Sequence, residues 1–136
     1  MTRQERALCV AGLGLFLLAL LQGFLIPLFG HADAAKAAHA TALGSGTFLI
    51  AVGLLWPKLS FGARASSIWG AVLAASLYAL AVGLTIGATY PAGSEHDHEI
   101  AAAASMSFNA VGGLALIAAM IAVLLACRSR ANESNR

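Results

Sequence analysis

Polar and apolar positions in this chain separate into long blocks instead of alternating. Residues 7–30, 65–94 and 100–127 hold no Asp, Glu, Lys or Arg, and 37–57 holds only His39 as an ionisable group. A membrane span needs about 20 apolar residues at ~1.5 Å rise each, and four runs reach that length. Peptide groups in hydrocarbon must find partners within their own segment, so each run predicts a helix, not a loop or an open sheet. The expected spans are 7–29, 37–56, 66–88 and 101–127, forming one transmembrane domain over 1–136. The fold class read from the pattern is all-α, an integral membrane four-helix bundle.

The punctuation agrees. Trp56-Pro57-Lys58 closes the second span with an aromatic residue at headgroup level, a helix stop and a charge. Tyr90-Pro91-Ala92-Gly93 ends the third, and Arg128 and Arg130 end the fourth. Ala32-Asp33-Ala34 imitates a signal-peptide cleavage site, but the preceding apolar stretch is longer than the roughly 7–15 residues of such a signal, so a retained helix is expected. The tail 131–136 is polar and is expected to fray.

Charge sets the orientation. With four spans, the N-terminus, the middle connection and the C-terminus share one side. They carry Arg3, Arg6, Lys58, Arg64, Arg128, Arg130 and Arg136, leaving only Lys36 opposite. The positive-inside rule then places both termini in the cytoplasm. Overall, 60% of residues are apolar and 10% charged, against about 25% charged in globular proteins. The net charge of +2 is no nucleic-acid signal, because the positive residues sit at membrane edges. Cys9 and Cys127 read as free thiols in a reducing compartment, and no CxxC is present.

Small residues pattern the spans: Gly12 and Gly14, Gly44-Ser45-Gly46, Gly53, Gly83-Leu84-Thr85-Ile86-Gly87, and Gly112-Gly113. They let helix backbones approach closely, within the chain or against a second subunit.

All four histidines fall on the side opposite the termini. His31 lies in the first connection, and His96 and His98 in an acidic stretch, Glu95 to Glu99, expected to be a loop. That stretch reads either as a solvated connection or as a divalent-metal site. His39 lies about one turn inside the second span, where an ionisable group is a functional candidate by default. Ala42, Leu43 and Gly46 follow it at helical spacing and leave room beside the ring for a flat cofactor. A histidine at the membrane edge bonded to water or a carbonyl is the other reading. Tyr78 and Asn109 are polar groups within spans that need partners. No Asp or Glu lies within a span, against a proton-coupled antiporter, and the embedded histidines are too few for a two-haem electron carrier.

The segment Ala38-His39-Ala40-Thr41-Ala42-Leu43-Gly44-Ser45-Gly46, continuing to Trp56, resembles the hydroxylaminobenzene mutase family and, more distantly, the membrane-bound styrene oxide isomerases. These are small four-span bacterial enzymes with an Ala-His pair opening the second helix and a glycine-rich turn six to seven residues on. The resemblance implies isomerisation of a small aromatic substrate without redox change, such as aryl hydroxylamine to aminophenol. It also implies a multi-pass protein of the bacterial inner membrane, forming a homo-oligomer in the bilayer. By the isomerases' pattern this is a trimer with haem b as Lewis acid between subunits. His39 matches the axial iron ligand. The family usually carries Asn where this chain has Ser45, and six helical residues turn about 240°, so Ser45 is not on the ligand's own face.

The expectation is thus a membrane-bound aromatic mutase or isomerase. His39 binds haem iron, and Ser45, Tyr78 and Asn109 are candidate catalytic groups in the pocket. The alternative is a non-catalytic membrane protein, either an accessory subunit or a metal-responsive element using His31, His96 and His98.

Overall fold

In the computed structural model, residues 1–89 and 95–134 are described, with side chains outside 95–98 and 129–134. The secondary structure is helical among the described residues. Helix α1 spans Arg3–Leu25 and ends in a 3-10 turn, Ile26–Leu28; α2 spans Ala32–Leu55 and ends in a second, Trp56–Lys58. Helix α3 spans Ala63–Ala88 and α4 Glu95–Ser134. All four are long and apolar enough to cross a membrane. Only 22% to 33% of the most apolar window of each is buried within the chain, so the chain itself leaves most of each apolar window uncovered.

Two expectations change. Residues Glu95 to Glu99 are not a loop but the first turn of α4, and the polar tail stays helical to Ser134. The spans are runs that hydrocarbon requires to be helical, while helix itself continues past the bilayer wherever no residue breaks it. Neither Pro nor Gly stands between Glu95 and the span, or between Cys127 and Ser134. Tyr90 to Gly93 lies outside the described residues.

Local sequence sets the ends. Thr2 and Glu5 form a capping box on α1, with Oγ1 accepting from Glu5 N–H at 3.1 Å and the carboxylate accepting from Thr2 N–H at 2.9 Å. Pro27 and Pro57 each sit in the 3-10 turn that ends a helix.

Helices α1 and α2 form one antiparallel pair and α3 and α4 another; α2 packs on α3, and α1 meets α3 more lightly. Glycines bring the first pair together. A Cβ on Gly12 would lie 2.8 Å from Gly46 O, and one on Gly46 would lie 2.8 Å from Gly12 O. In the second pair, Gly83 faces Asn109 and Gly87 faces Ser105, a four-residue small-residue spacing that admits α4.

The core is graded along its length. Leu8, Leu15, Leu49 and Leu73 fill the half nearer the termini, with Trp56 at that end. Ala19, Ala35, Ala38, Ala42, Ala81 and Ala88 line the other half, each at most 2% exposed. Trp56, at the end of its helix, is buried within the bundle, donates Nε1–H to Ser66 Oγ at 2.8 Å and stacks on Phe61. A partner for its N–H inside the fold makes that burial favourable.

Candidate functional site

His39 lies in the alanine-lined half, where α2 crosses α1. Its Nδ1 is 2.7 Å from Ala19 O. A carbonyl only accepts, so Nδ1 carries the proton and Nε2 keeps the free lone pair in the neutral ring. Gly23 makes the contact feasible, since a Cβ there would sit 3.1 Å from Cε1 and 3.3 Å from Nδ1. A backbone carbonyl that holds the far nitrogen fixes ring orientation and raises ligand basicity, as the outer partners of metal-bound histidines do.

The open side of the ring is not where spacing along α2 placed it. Ala42 is fully buried, and Gly46 is pressed against Phe16 and Gly12 of α1, so that face of α2 is filled. His39 itself is half-buried, at the edge of the α1–α2 pair. One histidine with a fixed tautomer and an available Nε2 is a donor set that fits an axial haem ligand. Among the described residues no group of three or more His, Cys, Asp or Glu is gathered as a metal-only site would need.

The other candidate residues occupy different seams. Ser45 belongs to the buried stripe of α2, in line with Ala38, Ala42 and Leu49, turned away from the His39 edge as its register requires. Tyr78 crosses from α3 to α1 and donates its hydroxyl to Ala11 O at 2.9 Å. That carbonyl lies eight residues before Ala19 on α1, about 12 Å away at 1.5 Å per residue. Asn109 lies between α3 and α4 against Gly83, and its Oδ1 is buried without a hydrogen-bond partner. Within one chain these four side chains do not converge on a common chamber.

The profile of the family described as styrene oxide isomerase matches residues 4–129. The chain belongs to the styrene oxide isomerase family. Two curated relatives, both from Ectopseudomonas oleovorans, are similar to it. Hydroxylaminobenzene mutase HabB is 43% identical over 60 residues, covering 44% of this chain and 37% of HabB. Hydroxylaminobenzene mutase HabA is 33% identical over 90 residues, covering 65% of each chain. The matched segments thus span just over a third and just under two thirds of those relatives. No solved structure matches significantly.

One residue of this styrene oxide isomerase family member escaped the choice of site residues made from sequence. Gln22 is 6% exposed, donates Nε2–H to Thr85 Oγ1 at 2.6 Å and leaves Oε1 buried without a partner. Thr85 gives its own proton to Ala81 O at 2.7 Å, so its oxygen must accept, which fixes the Gln22 amide as drawn. The available signal was a lone amide in the first span, next to Gly23. Of the histidines named for a metal-responsive role, His31 is exposed at the start of α2, and the His96 and His98 side chains lie outside the described residues.

Proposed function

We propose that the protein is a membrane-bound mutase of small aromatic compounds that moves a hydroxyl from the nitrogen of an aryl hydroxylamine to the ring, giving an aminophenol. The N–O bond breaks, a ring C–O bond forms, the ring carbon loses a proton and nitrogen regains one; composition and oxidation level balance without a co-reactant. Membership of the styrene oxide isomerase family and similarity to two hydroxylaminobenzene mutases support this class of reaction.

The observation that carries the residue assignment is the His39 ring, held through Nδ1 by Ala19 O with Nε2 left to bind. His39 would hold haem b at the edge of the α1–α2 pair. When bound, the haem supplies a Lewis acid for the substrate oxygen. The chain's own part is to orient the substrate and keep it dry. Gln22 Oε1, next to Gly23 on α1, is a buried acceptor suited to an N–H or O–H donor, which is what an aryl hydroxylamine offers, and Asn109 Oδ1 is another in the separate α3–α4 seam. Ser45 stands on the inner stripe with a hydroxyl in place of the family's amide. The alanine-rich half of the bundle around His39 would suit an aromatic ring and exclude water that would trap a cationic arene. The lightly buried helices leave surface for a homo-oligomer, a trimer by the family's pattern, that would enclose the His39 edge. The inner membrane, with both termini in the cytoplasm, is the location the basic residues favour.

The test is a Soret spectrum of detergent-purified protein followed by a hydroxylaminobenzene assay. His39→Ala should deplete bound haem and reduce turnover at least a hundredfold while helicity persists, and His31→Ala should keep both. A variant lacking His39 with full haem and full turnover would show the assignment to be wrong.

A further inference from the structure

A cleft of about 890 Å³ lies between the first turns of α1 and α3, at the end of the fold that carries the basic residues and away from His39. Its origin is legible in the packing. Helix α1 is drawn to α2 by glycines along its length, and it meets α3 only lightly. On α3 the facing positions are Ala63, Ser66, Ser67, Gly70, Ala71 and Ala74, all small; Gln4 of α1 reaches across onto Gly70, and the gap stays open beside it along Ser67, Ala71 and Ala74. Buried Leu8, Trp56 and Gly70 form the floor, and exposed Arg3 and Ser67 stand at the rim.

The cleft is mixed along its depth, with Gln4, Ser66 and Ser67 beside an apolar side of Ala7, Leu8, Trp56, Ala71 and Ala74, and its mouth is cationic. From Ala63 to Ala74 it runs eleven residues down α3, about 16 Å at 1.5 Å each, from the end of the span into the hydrocarbon zone. Around the mouth, Arg3 lines the cleft, with Arg6, Lys58 and Arg64 at the same end. The acid in that first turn, Glu5, already accepts from the Thr2 N–H. Ser66 Oγ accepts from Trp56, which leaves its proton to donate, and Gly62 provides no side-chain cap for the first N–H groups of α3. A guanidinium, a hydroxyl and a helix start without a side-chain cap together suit an anionic phosphate. The apolar side of the trough below them, Ala7, Leu8, Trp56, Ala71 and Ala74, suits an acyl chain, and basic pockets between membrane helices hold anionic headgroups.

We propose that this cleft binds one anionic phospholipid, its acyl chain in the small-residue trough of α3 over Trp56 and its phosphate at Arg3 and the first turn of α3. The site is independent of the mutase chemistry. A small aromatic molecule would leave most of the trough unfilled and has no use for the cationic rim.

Native mass spectrometry of the full-length protein, released from micelles containing equal phosphatidylglycerol and phosphatidylcholine, tests it. One phosphatidylglycerol should remain bound per chain, at least fivefold in excess over phosphatidylcholine. Arg3→Gln should abolish that preference, whereas Arg64→Gln, outside the cleft, should keep it. Ala74→Phe should expel both lipids by filling the trough, and Ala71→Leu serves if the first variant fails to insert. Equal retention of the two lipids would overturn the proposal. So would equal losses in the Arg3 and Arg64 variants, which would mark diffuse attraction. Displacement by millimolar inorganic phosphate or by 2-aminophenol would likewise overturn the acyl-chain assignment.

Discussion

The imidazole of His39 rests on the bare Cα of Gly23: a side chain there would begin 3.1 Å from Cε1, while Nδ1 bonds the carbonyl of Ala19 one turn earlier. In a regular helix the N–H of Gly23 also bonds that carbonyl. One glycine therefore completes the α1 ladder and admits the ring that shares its acceptor.

Gly23→Ala should displace the ring by a few tenths of an ångström, and Gly23→Val by more. Lowered haem occupancy and turnover, graded from Ala to Val with helicity unchanged, is the expected result, read from the Soret band and the hydroxylaminobenzene assay. Gly44→Ala, where an added Cβ meets nothing within 4 Å, is the control.

The Gly12–Gly46 crossing has no flexible side chain to yield on its backbone side. Gly12→Ala should separate α1 from α2 and cost about 1–3 kcal/mol, as overpacking does, seen as a lowered unfolding midpoint in detergent. Gly113→Ala meets nothing within the chain and should stabilise α4 by up to about 1 kcal/mol through helix propensity. A loss at Gly113 instead would reveal another helix covering that face.

Tyr78→Phe removes the hydrogen bond to Ala11 O and should cost about 0.5–1.5 kcal/mol. Turnover should stay within twofold. A tenfold loss of kcat at unchanged stability would instead place the phenol in the chemistry.

Gln22→Met keeps the side chain's length, removes the unpartnered oxygen and forgoes the bond to Thr85. These effects oppose, so stability should move by less than about 1 kcal/mol. If Oε1 accepts a substrate proton, KM for hydroxylaminobenzene should rise about fivefold, the worth of one hydrogen bond of ~1 kcal/mol. An unchanged KM would leave Gln22 as an inter-helix tie alone.

Reporter fusions truncated after Arg64, or placed after Arg136, should read cytoplasmic, and one truncated after His31 should read external. The seven basic residues on one side motivate this. An external C-terminus would sink the orientation.

By itself the sequence determined the number of helices, their approximate bounds and the place of His39 within the second, because an uncharged run of span length has one backbone solution in hydrocarbon. It also carried the family likeness, in the segment from Ala38 to Trp56. What it could not determine was which seam each polar side chain enters. Period along a helix orders residues around one axis but does not say which neighbour covers each face. Gly46 looked like room beside His39 and is filled by α1, and the indole N–H of Trp56 finds its partner in Ser66 of the next helix. Tyr78 and Asn109, both polar and mid-span, were indistinguishable until α3 turned one toward Ala11 O and left the oxygen of the other unpaired against Gly83. Those outcomes depend on contacts between helices distant in sequence, where close packing leaves each surface with a single neighbour.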